Sequence, residues 1–240
     1  MFIRGLLHSY RMMERMRNLS KATGCRPSLL RRYTKEALRD EMFIGDIVER
    51  HKDYTSIVIS AEKIKYWPNP LIAYAFVRHV KPSIVVETGG TPGRSSAFIL
   101  CAMNKNGKGE LYTIDKPPPE GTVMGETRVC QAVPKGMTAG WLIPNYLRDK
   151  HNLIIGDSKK ELPKLLRKLG RIDVFIHDSL HTYDHMLFEY KTAWPHVKKG
   201  GYLLSDDVRT GVGAVFSEFL KMTGTKGYIV SNYGITRKAG

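Results

Sequence analysis

VVETGGTPGRSS, residues 85–96, decides how the rest of the chain is read. Two valines and an acid lead into a turn carrying Gly89, Gly90 and Gly93, and the turn runs into SSAFILCAMN, whose apolar residues recur at helical spacing. The stretch predicts a buried strand, a glycine turn and a helix. Glycine lets backbone pass close to a ligand, and the free N–H groups of a first helical turn favour an anionic group. The spacing is E-x-G-x-x-x-G-x-S, not the G-x-G-x-x-G of dinucleotide-binding folds.

Downstream the same alternation repeats. LYTID (111–115), NLIIGD (152–157), DVFIHD (173–178) and GYLLSD (201–206) are short apolar runs rich in β-branched or aromatic residues, separated by the helical stretches KKELPKLLRKL and TYDHMLFEYKTAWPHV. Continuous apolar strands alternating with helices predict an α/β fold whose mostly parallel sheet is covered on both faces. A helix near 212–222 and the extended segments GYIVSN and YGITRK predict a terminal antiparallel hairpin. Residues 116–140, rich in Pro and Gly, are too long for an ordinary connection and are expected to form a lid.

Upstream, residues 1–66 look helical and polar and end at WPNP (67–70), where proline interrupts before the apolar helix LIAYAFVRHV. Phe2, Ile3, Leu6, Leu7, Tyr10, Met13 and Met16 recur at helical spacing with Arg4, Arg11, Arg15 and Arg17 between them. Such a basic amphipathic helix packs on its own domain or, through residues 1–18, lies on an anionic membrane surface. No apolar run approaches the length of a membrane span.

The chain of 240 residues is 42% hydrophobic, enough for one substantial core. Its three cysteines, Cys25, Cys101 and Cys130, form no CxxC pair, which argues against a disulfide framework and for a cytoplasmic location. A formal net charge of +15 suggests the sign of a partner but not its identity, and no helix-turn-helix, zinc-finger or RNA-binding aromatic signature is present.

Ligands of open parallel sheets bind beyond the carboxyl ends of the strands. There stand Glu87, Asp115, Asp157, Asp178 and the pair Asp206 and Asp207. Any one such acid commonly caps a helix, but together on one rim they point to a ligand. Asp115, twenty-two residues beyond Gly93, is placed to grip a ribose diol. A carboxylate at Glu87 would oppose a pyrophosphate and suits the ammonium and sulfonium of S-adenosylmethionine.

In this order and spacing VVETGGTPGRSS, LYTID, GDS, DVFIHDSLHTYDH and GGYLLSDDV resemble the class I S-adenosylmethionine-dependent methyltransferases. Within them the chain is similar to the metal-dependent O-methyltransferases of catechol and macrolide-sugar type, over about residues 70–238. The resemblance implies a Rossmann-like sheet of order 3-2-1-4-5-7-6, with a catalytic domain at 67–240 behind an extension at 1–66. Glu87, Gly89, Gly90, Gly93 and Ser95 would hold the methionine end of the cofactor, Asp115 its ribose hydroxyls, and Asp157 with Ser158 the adenine edge. Asp178, Asp206 and Asp207 would hold Mg²⁺ or Mn²⁺, cations that take oxygen ligands. His181 would be the base that accepts a hydroxyl proton.

FIHDSLHTYDH (175–185) also reads as a zinc site, with His177, His181 and His185 spaced by four. One of the three belongs to a strand and two to a turn and helix, so they are not expected to converge. The implied acceptor is a hydroxyl on a small metabolite or sugar. The alternatives are a nucleic-acid methyltransferase, motivated by the charge, and a non-catalytic binding or membrane-surface module; a homo-oligomer is left open. Residues 116–140 carry no recognised acceptor motif, and Trp141 is either substrate wall or core.

Overall fold

A computed structural model describes residues 2–54, 59–117, 133–209 and 213–240. Four helices come first: α1 (Phe2–Thr23), α2 (Pro27–Leu38), α3 (Glu41–Tyr54) and the short α4 (Ala61–Ile64). Then α5 (Pro68–Val80) leads into β1 (Ile84–Thr88), α6 (Arg94–Asn106), β2 (Glu110–Asp115) and β3 (His151–Ile155). α7 (Ser158–Leu169), β4 (Ile172–His177), α8 (Tyr183–Ala193), β5 (Val197–Ser205), α9 (Gly213–Thr223), β6 (Gly227–Val230) and β7 (Tyr233–Arg237) complete the chain.

The seven strands form one sheet in the order β3-β2-β1-β4-β5-β7-β6. β3, β2, β1, β4 and β5 are parallel, and β7 runs antiparallel to both β5 and β6. The mostly parallel sheet is the one expected from the strand pattern, and its order is the one the family resemblance implied. Successive residues of a strand face opposite sides of the sheet, so the apolar runs feed two cores. Val85, Val174, Ile176 and Leu204 join the core under α5 and α6, whereas Val86, Phe175 and Leu203 join the one under α7, α8 and α9.

The N-terminal helices share the first of these cores. Met16, Leu19, Leu30, Ala37, Phe43, Ile47 and Ile64 are buried in one cluster with Leu71, Phe76, Phe98 and Val85. Phe43 meets Phe98 edge-on with ring centroids 4.9 Å apart. α1 packs against β6 and β7 as well as α2 and α5, so the amphipathic pattern reports domain packing over its second half. Trp141 is core, only 1% exposed. Cys25 and Cys101 are buried free thiols, and Cys130 lies outside the described residues, as does most of the expected lid, 118–132.

A polar clamp fixes α2 onto α5. The Glu36 carboxylate accepts hydrogen bonds from the Tyr74 hydroxyl at 2.6 Å and from Arg78 Nε at 2.6 Å, and Arg78 also lies over the Tyr33 ring. Burial raises the Glu36 carboxyl, but the bonds from Arg78 and Tyr74 outweigh it and hold it below the ordinary value. A carboxyl so lowered contributes stability above its unfolded value and loses it as pH falls. Glu36→Ala strands the fully buried Tyr74 hydroxyl and should cost about 1–3 kcal/mol in denaturant unfolding at neutral pH. The gap to wild type should narrow as pH drops below 4.5.

Candidate active site

β1 delivers Glu87 into the interior, where it is fully buried. Its Oε2 accepts hydrogen bonds from Ser96 Oγ at 2.5 Å and Thr113 Oγ1 at 3.2 Å. Among the described residues no donor reaches Oε1. Burial pushes the carboxyl up to about 7 against these two bonds. Ser96, the second of two adjacent serines, makes this contact. Ser95 hydrogen-bonds instead to Tyr233 of β7.

The glycine turn passes close to β4. Gly89 takes φ +83°, and a Cβ there would overlap the backbone carbonyl of Asp178. Gly93 takes φ +99°, and its bare Cα admits the backbone of Gly140. A cavity of about 420 Å³ opens beyond the turn, walled by Gly89, Gly90, Asp115, Gly156, Asp157, Ser158, Asp178 and His185. The structure thus brings six of the expected residues to one cavity. Glu87 lies beneath it, while Gly93, Ser95, His181, Asp206 and Asp207 do not form its wall.

Within the cavity Asp115 accepts hydrogen bonds from the Thr91 hydroxyl and from the N–H groups of Gly90, Thr91 and Lys116. Burial still raises its carboxyl above the usual range. Asp157 also caps α7, accepting from the Lys159 N–H at 2.9 Å. Ser158 Oγ lies 3.0 Å from His185 Nε2.

The acids of β4 and β5 meet beside the cavity. Asp178 and Asp206 lie against each other, and burial raises both carboxyls above the usual range. Burial, then the charges of Asp206 and Glu87, hold Asp178 well above the usual carboxylate range. Asn69, at the start of α5, donates to Asp206 at 2.7 Å. Asp207 adopts φ +57° and accepts from the side-chain amide of Asn232, at the tip of the β6–β7 hairpin. His181 Nε2 stands 3.6 Å from Asp207 and 3.8 Å from Asp178. Burial and the neighbouring His177 lower its pKa, keeping the imidazole neutral.

His177 and His185 have a different employment. Both lie against Glu189 of α8, at 2.6 and 2.9 Å, and this fully buried carboxylate also accepts from the Thr88 and Ser179 hydroxyls. Those bonds outweigh its burial and depress its pKa far below the usual range. Among the described residues no three His, Cys, Asp or Glu side chains converge as a metal site.

The methyltransferase domain family matches residues 86–208, the span that carries the glycine turn and all four acids of β4, β5 and the β2 end. The chain belongs to this family. In solved structures this methyltransferase is similar in fold to the O-methyltransferase TomG from Streptomyces achromogenes, which is involved in tomaymycin synthesis and was solved with S-adenosylmethionine. The identity is 15%, the TM-score 0.54, and the match covers 84% of this chain and 92% of the other. It is likewise similar to the Podospora anserina methyltransferase PaMTH1, bound to S-adenosylhomocysteine, at 14% identity and TM-score 0.54, over 81% and 88% of the two chains. No curated protein matches. The strand order, the family match and these folds make the chain a class I S-adenosylmethionine-dependent methyltransferase.

Several partners in the site carry no sequence signal of their own: Asn69, Thr91, Ser96, Thr113, Glu189, Asn232 and Tyr233. Gly89 offers a direct check of the turn. Gly89→Ala combines a left-handed backbone with a clash against Asp178, so it should lower the melting temperature far more than Gly107→Ala, at φ +69° with open space around it. Thermal unfolding of the two variants should place Gly107→Ala near 1 kcal/mol and Gly89→Ala at about 3 kcal/mol or more.

Proposed function

We propose that the protein transfers the methyl group of S-adenosylmethionine to a hydroxyl of a small metabolite or sugar-type acceptor. The observation that supports this reading most is the placement of His181 3.8 Å from Asp178, which walls the Asp115 cavity, and 3.6 Å from Asp207. The bound donor supplies an electrophilic sulfonium methyl. Asp115 suits the ribose diol, and the Gly89–Gly90 backbone lies where a ligand can approach closely. Asp157 and Ser158 flank the far end of the cavity, where the adenine edge would sit.

The chemistry then needs one proton to leave as one bond forms. The acceptor oxygen forms its bond to the methyl carbon while the carbon–sulfur bond breaks, the electron pair staying on sulfur. The hydroxyl proton passes to His181 Nε2, which burial keeps unprotonated and ready to receive it. Asp207 steadies the imidazolium so formed.

Asp178, Asp206 and Asp207 form an all-oxygen set, right in kind for Mg²⁺ or Mn²⁺, and the charges of Asp206 and Asp207 against Asp178 are a repulsion that a cation would relieve. As the side chains stand, that set is not closed around a point. A divalent ion held there would supply a lower pKa for the acceptor hydroxyl. Residues 1–66 are then an extension that completes one face of the 67–240 catalytic domain.

Among the described residues two clusters of basic side chains stand apart from the cavity. Arg31, Arg32, Lys35 and Arg39 stand together on α2, and Lys81, Lys108, Lys198 and Lys199 stand at the amino ends of the strands, away from the rim.

Two measurements test the reading. His181→Ala should cut turnover by about 100- to 10,000-fold while leaving S-adenosylmethionine affinity within about twofold, and a turnover close to wild type would remove the histidine from the mechanism. Glu87, raised from 4.5 to about 7, favours the protein most below pH 4.5 and loses that contribution as pH rises through 7. An ammonium group beside it should draw off its proton. Calorimetry of S-adenosylmethionine binding at pH 6, in buffers of different ionisation enthalpy, should therefore show more proton release in wild type than in Glu87→Gln.

A further inference from the structure

The second half of α1, the carboxyl end of β5 and the tip of the β6–β7 hairpin enclose a cleft of about 430 Å³. Three arginines line it, Arg11 and Arg15 from α1 and Arg209 from the loop after β5, together with one acid, Glu14. Among the described residues none of these arginines makes an ion pair. Arg11 and Arg15 are four apart on one helix face, an arrangement that by itself weakens a helix. Burial, then Arg11, lowers the pKa of Arg15, and Arg209 adds to the repulsion. Glu14 offsets part of this repulsion, and the three guanidinium groups still outnumber the one carboxylate.

The cleft adjoins the proposed catalytic rim through a single residue. Asn232 lines the cleft, its side-chain amide donates to Asp207, and its backbone carbonyl accepts from the Val208 N–H at 3.2 Å. Asp207 in turn stands 3.6 Å from His181. Two side chains, Asn232 and Asp207, thus span the distance from the cleft to the histidine.

We propose that this cleft binds the phosphate of a phosphorylated acceptor, whose hydroxyl then lies over His181. Three guanidinium groups against one carboxylate leave an excess of two positive charges, matching a phosphate monoester, which carries close to two negative charges near neutral pH. Guanidinium is also the side chain best shaped to hold phosphate oxygens in pairs. The inference deepens the proposed O-methylation and rests on it for the role of His181. All three arginines lie outside the span 86–208 matched by the family.

The test uses the full chain and inorganic phosphate as the probe. Calorimetric titration should show phosphate binding that is weakened about tenfold or more in Arg15→Ala with Arg209→Ala, and more modestly in the exposed Arg11→Ala. S-adenosylmethionine affinity should stay within about twofold of wild type in every variant. Phosphate binding that is absent, or indifferent to the arginines, would overturn the proposal. So would arginine-dependent sedimentation with phosphatidylserine vesicles that phosphate does not compete, since the cleft would then serve a bilayer surface. Arginine-dependent phosphate binding in a protein that fails to bind S-adenosylmethionine would uphold the cleft and sink the donor site proposed above.

Discussion

The structure turns on how buried negative charge is compensated at the carboxyl edge of the sheet. Taking a carboxylate out of water costs several kcal/mol unless donors or counter-charges replace the lost hydration. Glu189 is compensated in full: two hydroxyls and two imidazoles surround it, and its pKa falls. Glu87 is compensated on one oxygen only, and Asp178 faces the further negative charges of Asp206 and Glu87. The difference separates structural from chemical acids. A carboxylate whose bonds are complete holds α8 against β1 and β4, whereas one left half-satisfied stores an affinity for a cation.

The same ledger assigns the histidines. His177 and His185 are spent on Glu189, one from the strand end and one from the first turn of α8, so neither has its bonded nitrogen available for a substrate. His181 sits between them in sequence but outside that network, on the turn that carries it over Asp178 and Asp207. Regular spacing of four suggested a shared role. Placement on strand, turn and helix gives two different ones.

Much of the fold was legible because a buried parallel strand needs an unbroken apolar run and its helix a repeating stripe, and 84–88, 111–115 and 172–177 show such runs plainly. The rim acids were legible for a related reason: each follows directly on such a run. Glu189 was not, since it lies mid-helix in an ordinary mixture of polar and apolar residues, and only its burial reveals it. The choice between Ser95 and Ser96 was also closed to spacing, because successive helical residues point about 100° apart and the start of α6 fixes which one meets Glu87. Asn69 and Asn232 come from a helix start and a hairpin tip far apart in sequence, and the pairing of α5 and β7 with β5 brings them to the adjacent acids.

Two opposed fields therefore stand side by side on this edge. The acids of β1, β4 and β5 favour a cationic donor and repel anions, while Arg11, Arg15 and Arg209 favour an anion. A molecule bearing only a hydroxyl would gain nothing from the second field, and one bearing only negative charge would be pushed from the first. An acceptor with its anionic group in the cleft and its hydroxyl at His181 satisfies both, with the one side chain of Asn232 setting the distance between them. Because α1 supplies two of the three guanidinium groups, the helices ahead of the glycine turn would, with such an acceptor, take part in selecting it.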